Sequence, residues 1–159
     1  MFLIKNINLL YIMAFHINRL TKELNKIKKT PIEGFTLTNF DNIMIWQGEL
    51  DGPKDTPYEN NKFKLQMSFD EEYPFRAPSV KYLQFIFHPN IYKDGKICVD
   101  ILQSTEWSAA LSVETIIHSL RSLFMDPNPQ SPANREAAEL YLQDVKLFNN
   151  KVKESMNKN

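Results

Sequence analysis

Lys62-Phe63-Lys64-Leu65-Gln66-Met67-Ser68-Phe69 sets an apolar side chain at every second position, the period of a strand with one buried and one wet face. Upstream, residues 43–50 read as a second strand, and the turn-rich Asp51-Gly52-Pro53 between the two makes them antiparallel neighbours in a meander. Downstream, residues 79–83 supply a further strand. Residues 17–29 carry Ile17, Leu20, Leu24 and Ile27 at helical spacing with basic residues opposite, and Thr30-Pro31 ends that helix. Prolines at 74, 78 and 89 stiffen an irregular middle segment. Ser112 is placed to cap a helix whose stripe is Val113, Ile116, Ile117, Leu120, Leu123 and Phe124, and Asp126-Pro127 stops it. Ser131-Pro132 reads as the next cap and first helical position, with helices expected over 134–142 and 144–156. The order predicts an α+β domain.

The chain has 159 residues, and its 19 basic and 19 acidic side chains cancel. That balance argues against a nucleic-acid binder acting through bulk charge and against a polybasic membrane adsorber. One cysteine, Cys98, excludes an internal disulfide framework and a multi-cysteine metal site, so no metal is expected. It also fits a reducing compartment, cytoplasmic or nuclear. Residues 1–15 form an apolar extension interrupted by Lys5, Asn6 and Asn8. They are too short to span a bilayer, which takes ~20 apolar residues. They are expected to be a disordered terminus or sequence upstream of a start at Met13, with a docking helix as the third reading. Residues 16–159 are expected to be one domain.

Cys98 invites two readings. Ile97-Cys98-Val99 is an apolar triplet, and free cysteine is among the most buried residue types. Yet the polar stretch from His88, with the turn pair Asp94-Gly95, and the irregular residues after it place the thiol between two loops, near a surface groove.

His88-Pro89-Asn90, with Cys98 eight residues beyond the asparagine, resembles the active-site signature of ubiquitin-conjugating enzymes. The resemblance continues through Gly52-Pro53, Thr56-Pro57-Tyr58-Glu59, Glu72-Tyr73-Pro74-Phe75, Trp107-Ser108 and Asp126-Pro127-Asn128-Pro129, covering about residues 16–150 in the family's order. It implies an N-terminal helix, a four-stranded antiparallel meander, an active-site loop, a central helix and two C-terminal helices. It implies that Cys98 accepts ubiquitin as a thioester from an activating enzyme and passes it to a substrate lysine. ATP is then consumed upstream and no cofactor is bound.

The same resemblance assigns roles. Asn90 is a candidate oxyanion donor, or a tie for its own loop. Ser131 falls where the family places an acidic or serine gate facing the thioester, with helix capping as its minimum role. His88 and Pro89 support the site. Asp100 is an exposed turn residue or a substrate contact. Arg19, Lys22 and Lys26 match the docking face for the activating enzyme. Phe75 and Arg76, with Ser108, Ala109, Ala110 and Arg19, match the patch gripped by RING and related ligases, HECT ligases included. Tyr73-Pro74 is a candidate cis bond. A monomer is expected, with protein substrates but neither nucleic acid nor membrane as partner.

Departures narrow the reading. Asn60-Asn61 replaces a glycine pair, tolerable because asparagine enters the left-handed region. Ala109 replaces a proline, His118 stands at an apolar position, and one extra residue separates Cys98 from Trp107. Residues 42–46, 87–90 and 128–134 are similar to the subgroup linked to histone and replication-clamp ubiquitination, whereas Phe75 fits the ligase-promiscuous subgroup. The alternatives are a conjugating enzyme for another modifier, a non-catalytic ubiquitin-binding variant, and a hydrolase pairing Cys98 with His16, His88 or His118.

Overall fold

A computed structural model describes residues 14–157 in full and residues 2–13 as backbone of the first helix. The elements are α1 (Phe2–Lys29), β1 (Phe35–Asn42), β2 (Ile45–Asp51), β3 (Lys62–Ser68), β4 (Ser79–Tyr82), a 3-10 turn (Asp100–Leu102), α2 (Val113–Met125), α3 (Arg135–Gln143) and α4 (Val145–Met156). The four strands pair antiparallel in chain order. The α+β meander with one leading and three later helices is therefore observed.

On β3 the alternation is literal: Phe63, Leu65 and Met67 are buried, Lys62 and Lys64 are exposed, and Gln66 is half-buried. Phe124 of α2 packs its ring on Phe63 at 4.9 Å, on Tyr58 at 4.7 Å and on Tyr82 at 5.7 Å, fixing the central helix against this face of the sheet. Rings of this size dominate core energetics. The α2 stripe is as expected except for Leu123, which is only half-buried.

Three local expectations are corrected. β1 was not legible, because register shifts after Leu37 and Asn39 break the alternation of its side chains. Ile43 belongs to the β1–β2 turn rather than to a strand, and its carbonyl accepts from Trp46 Nε1 at 2.8 Å. α1 begins at Phe2, not near residue 17. Residues 2–29 contain neither glycine nor proline to interrupt it. The proposed start at Met13 falls outside the fully described residues.

Backbone expectations hold at two points. Asn60 has φ of 64°, the left-handed conformation expected of it, and Tyr73-Pro74 is cis. Among the described residues no helix is long and apolar enough to cross a membrane.

Candidate active site

The loop after β4 is anchored before it reaches the cysteine. Tyr82 N–H donates to Gly95 O at 2.9 Å, and isolated bridges pair Lys81 with Lys96 and Ile91 with Ile97. Gly95 has φ of 84°, and a Cβ there would lie 2.1 Å from Tyr82 O. Only glycine allows that approach.

His88 is fully buried. Asn90 N–H donates to its Nδ1 at 2.9 Å, which leaves Nε2 carrying the proton and donating to Leu123 O at 2.9 Å. Burial pushes its pKa down to about 4, outweighing the opposing hydrogen bond to Leu123, so the ring is neutral at pH 7. With both nitrogens engaged, His88 has no lone pair to offer the thiol. Tyr58 closes the pocket from another side, with its ring 5.7 Å from His88 and its hydroxyl donating to Phe87 O at 2.8 Å.

Asn90 is 1% exposed, and its amide is spent on one neighbouring loop. Nδ2 donates to Asn128 O at 2.7 Å and to Ser131 O at 3.1 Å, while Oδ1 accepts from Asn128 N at 2.8 Å. Pro89 contributes through its carbonyl, which accepts from both Ala133 N and Asn134 N. The His-Pro-Asn turn thus holds residues 128–134, and the loop-tying role is the one seen in this structure.

Cys98 meets both that turn and that loop. Its N–H donates to Asn90 O at 2.8 Å, its side chain is partly exposed, and Sγ sits 3.9 Å from Ser131 Oγ. Ser131 is exposed and does not cap a helix. Asn134 caps α3 instead, accepting from Ala137 N at 3.2 Å, because the two bonds to Pro89 O hold the chain off the helical path until residue 134. Asp100 is exposed at the start of the 3-10 turn, and Gln103 is the hydrogen-bond partner of its carboxylate at 3.4 Å.

The expected partner surfaces are partly inward-facing. Arg19 gives Nε to Glu23 at 2.5 Å, one terminal nitrogen to Ala109 O at 2.8 Å and the other to Leu111 O at 2.6 Å. Glu23, which sequence reasoning missed, also accepts from Tyr73 O–H at 2.6 Å and from Val113 N at the start of α2 at 2.8 Å. Its only sequence signal is an acid four residues after Arg19 on an otherwise basic face. Lys26 pairs with Glu114 at 2.5 Å, and Lys22 is exposed. Trp107 Nε1 donates to Pro74 O at 2.7 Å, joining the two loops that carry Phe75 and Ser108–Ala110. Phe75 remains 72% exposed although Phe15 stacks beside it at 5.8 Å. Arg76 is also exposed and pairs with Asp70 and Glu72. Ser108 and Ala110 are exposed, and Ala109 is half-buried. Among the described residues no group of three or more His, Cys, Asp or Glu side chains is placed to hold a metal.

With this geometry in hand, comparison with known proteins is direct. The sequence model for the ubiquitin-conjugating enzyme family matches residues 19–156. Ubiquitin-conjugating enzyme E2 2 of Kluyveromyces lactis is 45% identical over 141 residues, 88% of this chain and 85% of the relative. Its Saccharomyces cerevisiae counterpart is 44% identical over 141 residues, 88% and 81% of the two chains. Ubiquitin-conjugating enzyme E2 1 of Caenorhabditis elegans is 42% identical over 137 residues, 86% and 71%. The fold is that of a family of transferases that carry their cargo on a cysteine. The chain belongs to the ubiquitin-conjugating enzyme family. Its general partners are accordingly ubiquitin, an activating enzyme and ligases.

Proposed function

We propose that Cys98 is the residue on which ubiquitin rides as a thioester before passing to a substrate lysine. The carrying observation is that the chain's one thiol lies partly exposed against Ser131, while the histidine nearest in sequence is sealed, neutral and doubly hydrogen-bonded. A base free to activate water would hydrolyse the acyl cargo; this arrangement withholds one. The thiolate attacks the incoming thioester, exchanging one acyl–sulfur bond for another, and a lysine amine later displaces the sulfur.

Asn90 serves the second step. Its longer bond, from Nδ2 to Ser131 O, is the one to be exchanged for the tetrahedral oxyanion, while the shorter bond to Asn128 keeps the loop in place. Ser131 faces the thioester and orients the incoming amine, with His88 and Pro89 as support. Asp100, on the 3-10 turn beyond the cysteine, contacts substrate.

RING or HECT ligases dock on Phe75, Arg76, Ser108, Ala109 and Ala110. Arg19 acts there by fastening the loop through Ala109 O and Leu111 O rather than by offering a free charge. Lys22 and Lys26 face the activating enzyme. A monomer working in cytoplasm or nucleus without a bound cofactor fits the single free cysteine and the family reaction.

The test is incubation with activating enzyme, ATP and ubiquitin, followed by electrophoresis with and without reducing agent. A thiol-sensitive adduct absent from Cys98→Ala supports the assignment. An adduct that survives reductant, or persists in the variant, overturns it.

A further inference from the structure

Two aromatic rings lie exposed side by side at the edge of the proposed ligase face. Phe15 of α1 stacks on Phe75 with ring centroids 5.8 Å apart and planes 12° from parallel, yet the two residues remain 49% and 72% exposed. Each ring therefore keeps apolar surface open to a partner. The family sequence model matches residues 19–156, so Phe15 lies outside the segment that the family pattern describes.

Both rings are held from behind. Phe15, Arg19 and Glu23 follow one another at intervals of four residues, which puts them on one face of α1. Arg19 is tied to Ala109 O and Leu111 O and lies over the Tyr73 ring at 5.7 Å, while Glu23 accepts from Tyr73 O–H and Val113 N. Phe15 continues that seam by one turn. Because α1 starts at Phe2, Phe15 sits inside the helix instead of at a fraying end. On the loop side, Phe75 N–H donates to Glu72 O at 2.7 Å, and Pro74 O accepts from Trp107 Nε1 at 2.7 Å. A partner thus meets two rings whose ordering is already done, the condition under which aromatic side chains make strong anchors.

We infer that Phe15 is a second ligase-docking residue, forming with Phe75 one two-ring patch that grips a ligase loop carrying two neighbouring aliphatic side chains beside a basic one. The inference rests on Phe75 being a ligase contact, and it adds to that reading which ligases fit. A loop with one aliphatic side chain covers one ring; a loop with two covers both. The rim sets the charge of the partner. Asp70, Glu71 and Glu72 precede Phe75 on the same loop and are exposed, and Arg76 pairs with Asp70 and Glu72. Three acids against one arginine leave that rim negative, which favours lysine or arginine on the ligase.

The experiment loads the full chain with ubiquitin, removes ATP, and measures discharge to free lysine with and without each of a panel of purified RING domains whose docking loops carry two neighbouring aliphatic side chains beside a lysine or arginine. Each protein is scored by the ratio of its two rates, so a general loss of rate in a variant cancels. Phe75→Ala should remove most of the stimulation, and Phe15→Ala should lower it about three- to tenfold, with Phe15→Tyr retaining it. Trimming one of the two aliphatic side chains on the RING domain to alanine should weaken stimulation of the parent chain and change that of Phe15→Ala little, because the two cuts remove one shared contact. Full additivity of the two cuts overturns the two-ring patch. Stimulation unchanged or raised in Phe15→Ala, where Phe75→Ala loses it, overturns the patch and leaves the Phe75 docking site standing; a rise marks Phe15 as a cover over Phe75. Stimulation that survives Phe75→Ala, or none from any RING domain of the panel, overturns both.

Discussion

The two walls of the cleft are built to opposite rules. On one side, His88 and Asn90 are 0% and 1% exposed, and their side-chain nitrogens and oxygen are all hydrogen-bonded. On the other, Cys98 and Ser131 are solvent-accessible and share one long contact of 3.9 Å. The buried wall carries geometry and the open wall carries reactivity. The split fits the chemistry: buried polar groups are costly when unpaired, so they are fully paired and rigid, whereas a nucleophile has to reach two different partners in turn.

Cys98→Ala is the sharpest break between the walls. It should abolish the thioester altogether while shifting stability by no more than about 0.5 kcal/mol, since the thiol is partly exposed and makes one weak contact. Thermal unfolding beside the loading assay checks both halves. Asn90→Ala should do the reverse: loading persists, lysine discharge slows, and stability falls by about 3 kcal/mol as Asn128 and Ser131 lose their partner. Slow discharge with unaltered denaturant unfolding would move Asn90 out of the scaffold wall and into the chemistry alone.

Acid tests the buried wall in another way. The folded-state pKa of His88 is lowered to about 4 by burial, whereas the unfolded chain takes up that proton near its ordinary value. Stability from this group is complete above about pH 6.5 and is lost as pH falls toward 4, by about 3 kcal/mol in all. Urea unfolding across that window should show the slope, and His88→Gln should flatten it. A wild-type profile without such a slope would mean that the imidazole titrates freely.

The smallest effects separate Ser131 from its neighbour. Ser131→Asp should speed discharge to free lysine a few-fold, read by single-turnover kinetics, by placing a carboxylate where the amine approaches. Its capping contribution is nil, so Ser131→Ala should leave the melting temperature unchanged. Asn134→Ala should cost about 1 kcal/mol through loss of the α3 cap. Equal stability losses at both positions would restore the serine as a cap.

How much of this was readable beforehand depends on the range of the interaction involved. The β3 alternation, the α2 stripe and the Ser112 cap rest on neighbours within a few residues, and each was legible. β1 was not, because bulges disturb its period where a partner strand holds it. Arg19 was read as part of an outward docking face, and Glu23 drew no reading. They turn inward because Ala109, Leu111 and Val113, some ninety residues away, offer them carbonyls and an amide. Ser131 was misread as a cap for a related reason: Pro89, distant in sequence, holds the chain there and delays the helix.

The sequence alone determined where three of the four strands and most helices lie, that one thiol is available, and that a His-Pro-Asn turn precedes it, because periodicity, capping and residue identity are local properties. Only the tertiary structure decided that the histidine is sealed and neutral, that Asn90 grips residues 128 and 131, and that Ser131 Oγ meets the sulfur. Those facts depend on which distant groups burial brings together, and desolvation acts on the assembled environment rather than on any one residue.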